Sequence, residues 1–391
     1  MFRSSAVAYL GFMLFFPGFF LYGWLVSIGF LSPFLSGYYP IVFIILIFAF
    51  AFSALFYFDG KFLKFDLISM LFMFLQVYMV LVALLNLVFN TNGEYSAPLF
   101  SWVIAGCALN VILYYVGKEL DLSVSKFYFV TLLVLFVIVI LNLGDDYMFN
   151  IKRSSAADVE HYIATYQGFG RSVMILGLVS VIFSKENFKW MCFVLALSML
   201  FLNGARSELF LFLIGTIAYV FFMSGLARGF FISFAMLCSF LLLGSIYYIA
   251  NPESRIFEFI NTSTSSSGSA RYEMLMYSLE RVFSSFGQFI GGDFGSYVEI
   301  DGIGAYPHNL FSAWHNYGFF IFLLYVLILS YFWMIVVFGN RKKGGLFILG
   351  SVLLVVNTCA FILSKDNSYF IFGLMIGIFS NKNLFSSEKI T

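Results

Sequence analysis

Apolar residues fill this chain in long blocks separated by short polar connections. A helix needs about 20 apolar residues to cross the hydrocarbon core of a bilayer. Twelve blocks read as candidate spans: residues 5–30, 38–58, 67–89, 97–117, 127–143, 165–183, 190–205, 209–227, 230–250, 314–338, 346–363 and 368–380. The last is the shortest. Pro17 interrupts the first, where neighbouring helices have to satisfy the carbonyl that proline frees. That block has no convincing small-residue cleavage site and reads as a helix, not as a removed leader. Connections are a few residues long except at 144–164 and 251–313. The pattern predicts an all-α polytopic integral membrane protein of about twelve transmembrane helices, one membrane domain over 1–391. Its first external loop is 144–164 and its large external loop is 251–313.

Composition supports that class: 62% of residues are hydrophobic and 10% charged, whereas soluble domains carry about a quarter charged residues. A net charge of +1 without a basic or acidic tail gives no electrostatic reason to expect nucleic acid as a partner. The placement of charge says more than its sum. With a cytoplasmic amino terminus, every short inner connection holds at least one Lys or Arg, while those near 31–37 and 90–98 hold none. By the positive-inside rule both termini are then cytoplasmic, and 144–164 and 251–313 face outward. Cys107, Cys192, Cys238 and Cys359 all fall inside apolar blocks, as packing residues would, and not in the outer loops where an oxidising compartment could pair them.

Within 251–313, Leu275, Leu279, Val282, Phe286 and Phe289 recur at helical spacing from Tyr272 onward, with Glu273, Tyr277, Glu280, Ser284 and Gln288 on the other face. This predicts an amphipathic helix stopped by Gly291-Gly292. Arg271 would open it, and a bound anion would reconcile its charge with the helix dipole; the alternative is a solvated loop arginine. Arg206, in Asn203-Gly204-Ala205-Arg206-Ser207-Glu208, sits in a turn with almost no loop. A cation held at the membrane interface is a functional candidate, unless it pairs with Glu208 or snorkels. Arg171, after Gly168-Phe169-Gly170, would be buried in the outer leaflet if its helix starts several residues earlier, and would line the same cavity as Arg206.

His308 and Asn309 follow Pro307 in the large loop. A histidine there can act as a general base or as a phosphate donor, although a lone histidine is more often structural. His161 and His315 have no partner at metal-ligand spacing. Motifs for nucleotide binding, zinc proteases, serine hydrolases and paired-cysteine zinc sites are absent. Asp293-Phe294-Gly295 lacks kinase context, and Asp145-Asp146 reads as solvated carboxylates before it reads as a metal site. No metal or cofactor is expected.

The order of these motifs resembles the superfamily of O-antigen polymerases and O-antigen ligases, multi-pass bacterial glycosyltransferases. The residues that carry the resemblance are Gly204-Ala205-Arg206-Ser207, Ser267-Gly268-Ser269-Ala270-Arg271, Gly291-Gly292-Asp293-Phe294-Gly295, and Pro307-His308-Asn309-Leu310 with Gly318 in the following helix. What it implies is metal-independent glycan transfer from an undecaprenyl diphosphate donor to a lipid-linked acceptor at the periplasmic face of the bacterial inner membrane. A chain-length regulator is the expected protein partner. Length and the modest first loop look more like the polymerase than the ligase. His308, Arg271 and Arg206 are then the expected catalytic residues, and Arg171, Glu273, Tyr306 and Asn309 the expected substrate-binding ones. The competing class is a flippase for the same lipid, whose charges should line a cavity reaching the bilayer midplane. No matched pair of interrupted helices is visible in two halves of the sequence.

Overall fold

The computed structural model describes residues 4–32, 38–57, 66–121, 125–144, 149, 166–250, 266–298, 309–338, 344–367, 369–381 and 384. Among them the structure is helical, with one isolated bridge between Leu143 and Phe149. In chain order the helices are α1 (Ser4–Met13), α2 (Phe19–Ser27), α3 (Tyr38–Tyr57), α4 (Leu67–Phe89), α5 (Ser96–Glu119), α6 (Ser125–Leu141), α7 (Tyr166–Phe183) and α8 (Glu186–Leu202). Then come α9 (Arg206–Ser224), α10 (Leu226–Ala250), α11 (Ser266–Phe283), α12 (Phe286–Gly291), α13 (Phe311–Tyr317), α14 (Phe319–Phe338), α15 (Gly345–Leu363) and α16 (Ile371–Phe379).

Every apolar block of the sequence contains a helix. Six stretches are long and apolar enough to cross a membrane: Ser5–Ser27, Leu67–Phe89, Gly93–Glu119, Arg206–Ser224, Phe319–Phe338 and Gly345–Leu363. Shorter apolar helices cover Phe127–Leu141, Gln167–Phe183, Phe188–Leu202 and Ala227–Leu242. On α4, Phe72, Leu75, Met79 and Ala83 are buried, while Met70, Phe74, Val77, Leu81, Leu85 and Val88 are exposed. A helix apolar on both faces with one face uncovered is suited to lipid and not to water. Of the cysteines, Cys107 and Cys192 are buried, whereas Cys238 lies exposed on α10.

Pro17 sits in a π-helical turn, Leu14–Gly18, that joins α1 to α2. The widened turn absorbs the residue that cannot donate, and the Tyr38 hydroxyl of α3 donates to Leu14 O at 2.8 Å.

The twelfth block takes a form that its apolar length does not foretell. α16 has nine residues, about 13 Å at 1.5 Å per residue, less than half of a hydrocarbon core of about 30 Å. All nine are buried. It runs alongside α5 at backbone contact: a Cβ on Gly373 would overlap Asn110 O, and one on Gly377 would overlap Tyr114 O. The Asn110 side chain accepts from Gly373 N at 3.0 Å, and Asn381 Nδ2 donates to Gly117 O at 3.1 Å and Leu120 O at 3.0 Å. Small residues spaced by four let the two backbones approach, as in membrane helix pairs. Asn110 lies fourteen residues into α5 from Ser96, about 21 Å along the axis. α16 therefore begins deep in the bundle, and the segment that leads into it, Lys365-Asp366-Asn367, is buried with it.

The segment 251–313 is less of a loop than its polarity suggests, since α11, α12 and α13 occupy its described part. α11 starts at Ser266, so Arg271 is its sixth residue and not its opening one. The argument for an anion on the exposed amides of the first turn does not apply to it. The packed stripe of α11 is Met274, Ser278 and Val282, not the apolar series extended to Phe289, because the helix breaks at Ser284-Ser285 and Phe286 restarts exposed on α12. Gly292, at φ +78°, ends α12 where the sequence places the stop. Gly318, at φ +88°, divides α13 from α14, so the tenth block is two helices, 311–317 and 319–338.

Candidate functional site

Four segments far apart in sequence meet around one buried ion pair. α7 reaches the α8–α9 turn through Gly170, where a Cβ would overlap that of Ala205 and stand 3.2 Å from Asn203 Nδ2 and 3.3 Å from Glu208 Cβ. Gly204, at φ +67°, closes the turn, and α9 begins at Arg206. Glu208 falls in the first turn of α9, where the helix dipole favours a carboxylate. Its Oε1 takes Lys365 Nζ at 2.6 Å, the Glu208 side chain being 0% and that of Lys365 7% exposed. Burial lowers the Lys365 pKa, and the Glu208 carboxylate opposes that fall.

Arg171 lies about one turn and a half into α7, which begins at Tyr166, and is half-buried. It covers the rings of Tyr369, 5.6 Å from the centroid, and Phe370, at 4.8 Å. Its charge also bears on Lys365. Arg206 is half-buried, two residues ahead of Glu208.

Asn309 is tied to the same place. Its Oδ1 accepts from Phe311 N at 3.0 Å, and its carbonyl accepts from Ser312 Oγ at 2.9 Å. Leu310 N donates to Phe361 O at 2.7 Å, and Ser312 Oγ accepts from Asn367 N at 2.9 Å. The segment opening with Asn309 is thus stitched to the end of α15 and to the Lys365 loop. The Tyr325 hydroxyl of α14 holds the loop from another side, donating to Asn367 O at 2.8 Å. His308, Tyr306, His161 and Asp145-Asp146 lie outside the described residues, as does the side chain of Arg271. Glu273 is exposed on α11.

His315 forms a second polar cluster, fully buried between α11 and α13. Its Nε2 is 2.8 Å from Ser296 Oγ, and its ring lies 3.9 Å from that of Tyr297, which is hydrogen-bonded to Ser278. Burial, with the Arg281 charge adding, brings its pKa down to about 3, so it is neutral near pH 7. It is a packed structural histidine. Its polar surroundings explain why Ser278 and Tyr277, not only apolar residues, face inward from α11.

Lys365, Asp366 and Tyr369 escaped sequence reading. The available signal was two adjacent charges, Lys365-Asp366, in a connection too short to carry them away from the apolar blocks on either side. Glu208 was visible only as a possible mate for Arg206. Arg171, Lys365, Glu208 and Asp366 bear on one another electrostatically, and Arg206 stands two residues ahead of Glu208 at the start of α9. Among the described residues no three His, Cys, Asp or Glu side chains are grouped to hold a metal ion. No family model matches the chain, and no curated protein is significantly similar to it.

Proposed function

We propose that the chain is an inner-membrane glycosyltransferase that polymerises lipid-linked O-antigen repeats, moving the growing glycan from undecaprenyl diphosphate onto the next lipid-linked repeat. In this reading about twelve helices cross the membrane with both termini cytoplasmic, and 251–313 faces the periplasm. The observation that carries it is the convergence of Arg171, the Arg206–Glu208 turn and the Asn309–Ser312 segment around Lys365, in an apolar helical protein. The motif order resembling the polymerase and ligase superfamily supports it.

The mechanism assigned to the site needs no metal. Arg206 and Arg271 neutralise the diphosphate as the anomeric C–O bond breaks and the electron pair leaves with the phosphate oxygen. His308 takes the proton of the attacking acceptor hydroxyl. One displacement from the opposite face inverts the anomeric centre. Arg171 and Lys365 hold positive charge beside the path, while Asn309, Tyr306 and Glu273 contact the glycan.

The experiment is a lipopolysaccharide gel of a deletion strain complemented with wild type, Arg271→Ala or His308→Ala. Removal of one preorganised charge-stabilising donor costs about 3–4 kcal/mol of barrier, a hundredfold or more in rate. Both variants, expressed at wild-type level, should leave core plus one repeat where wild type restores the ladder. A normal long ladder from Arg271→Ala ends that residue's role.

The flippase reading gains from one observation: Lys365 and Asp366 are buried ahead of a half-length helix, the interrupted-span arrangement that transporters use for binding. The place where unpolymerised repeats accumulate separates the two. Cytoplasmic accumulation on deletion means a flippase, periplasmic single repeats a polymerase.

A further inference from the structure

Apart from the Lys365 cluster, the protein has a cavity of about 440 Å³ between the end of α4 and the α11–α12 region. Its size falls in the range of small-molecule sites, about 300–1,000 Å³. We infer that this recess binds the sugar head group of a membrane-anchored glycolipid whose chain lies along α4. The inference rests on the proposed glycan-transfer reading and assigns part of its substrate to a place.

Two kinds of wall meet there. Asn86, Thr91 and Asn92 approach from α4 and the turn that follows, and Arg281 and Asp293 from the other side. Val82, Leu85 and Phe89 supply an apolar wall, and Leu85 and Phe89 belong to the exposed apolar face of α4. The recess is therefore continuous with the lipid-facing surface, and its ligand should be polar at one end only.

The polar wall sorts the head group. Arg281 Nε stands 3.7 Å from Asp293 Oδ2, so the charges balance and a bare phosphate meets a carboxylate as well as a guanidinium. Asn86 is 6% exposed, and its Oδ1 has no hydrogen-bond partner among the described residues. A buried acceptor in that state is costly until a donor arrives. Asn86 Nδ2 is already given to Thr91 Oγ1, and Asn92 Nδ2 to Phe294 O at 3.1 Å, which leaves Asn86 Oδ1 open to a hydroxyl donor. A sugar offers several O–H groups together with an apolar ring face for Phe89 and Phe294.

The wall is built, not incidental. Gly295, at φ +77°, packs where a Cβ would overlap Asn92 Nδ2. Gly292 packs where a Cβ would stand 2.7 Å from Gly318 N. Asp293 and Ser296 are thus held between the turn after α4 and the α13–α14 junction.

Hydrogen exchange of the full chain in nanodiscs tests the assignment. Two probes are compared: the undecaprenyl-diphosphate-linked repeat isolated from the source strain, and bare undecaprenyl diphosphate. The glycosylated lipid should slow exchange at 86–92 and 292–296, and the bare lipid should not. Leu85→Trp, which fills the recess from its exposed wall, and Asn86→Ala with Asp293→Asn, should each raise the half-saturating concentration at least tenfold. Equal protection by both lipids makes this a phosphate site and overturns the inference, as does protection that Leu85→Trp leaves unchanged. Protection by the glycosylated lipid confined to segments around Arg171, Arg206 and Lys365 also overturns it while leaving the transferase reading intact. Protection nowhere removes both.

Discussion

Glu208 and Lys365 show how much of the site's energetics rests on single side chains. Neither can lose its partner cheaply, because breaking a buried pair leaves an uncompensated charge and costs about 3–5 kcal/mol, whereas replacing both ions with matched apolar groups is often neutral. Glu208→Gln should therefore lower the unfolding temperature in detergent markedly. Glu208→Gln combined with Lys365→Met should recover most of that loss, and a double variant as unstable as the sum of its singles would show the pair to be uncoupled. His315 gives a pH prediction at the same scale. Its pKa falls from 6.5 to about 3 on folding, so between those values the unfolded chain binds a proton that the folded chain does not. Stability from this residue is complete above about pH 6.5 and is lost as pH falls toward 3. Thermal unfolding measured from pH 7 to pH 4 should decline more steeply for wild type than for His315→Gln. The ion pair was illegible in the sequence because its members stand 157 positions apart and no local spacing announces them. Arg171 and Arg206 drew notice in the sequence because a cation within or between closely spaced apolar blocks stands out.

At the scale of elements, apolar length located the helices well, since a backbone in lipid must satisfy itself and the helix is the local way to do so. It did not tell how the helix of the twelfth block is held. The twelfth block reads as a short span in sequence. In the structure it is a half-helix held by backbone contact, and the clue was the glycine pair at 373 and 377. Gly373→Ala should destabilise by about 1–3 kcal/mol, the usual cost of overpacking, because the added methyl meets Asn110 backbone, which cannot rotate aside. The drop would appear in thermal unfolding, and an unchanged midpoint would mean that the approach is looser than described. α11 was recognised as amphipathic, but its inward stripe was assigned by apolarity alone. The surface that it meets carries His315 and Tyr297, so polar Ser278 turned inward, a choice that no periodicity within α11 could reveal.

For the whole molecule, the alternation of basic and neutral connections makes an orientation prediction separable from any enzymatic one. In a chain cleared of native cysteines, Thr91→Cys should react with a membrane-impermeant maleimide from the periplasm. Lys185→Cys should react only after permeabilisation, and the reverse pattern would invert the topology and put the arginine cluster on the cytoplasmic side. Several connections that carry the basic signal, including those with Lys61, Lys64 and Arg341, lie outside the described residues, so labelling is the direct route to the answer.

The half-length α16 also constrains how the protein is made. A nine-residue segment preceded by Lys365 and Asp366 is too short and too charged at its entrance to partition into lipid alone, where a central Lys or Asp costs about 2.5–3.5 kcal/mol on insertion scales. It has to wait for a protein groove. α5, on which α16 lies, is synthesised about 250 residues earlier, so it must stay open on one side until α16 arrives. Membrane integration and completion of the fold are then separate events in time, and the charge cluster is assembled only at the second.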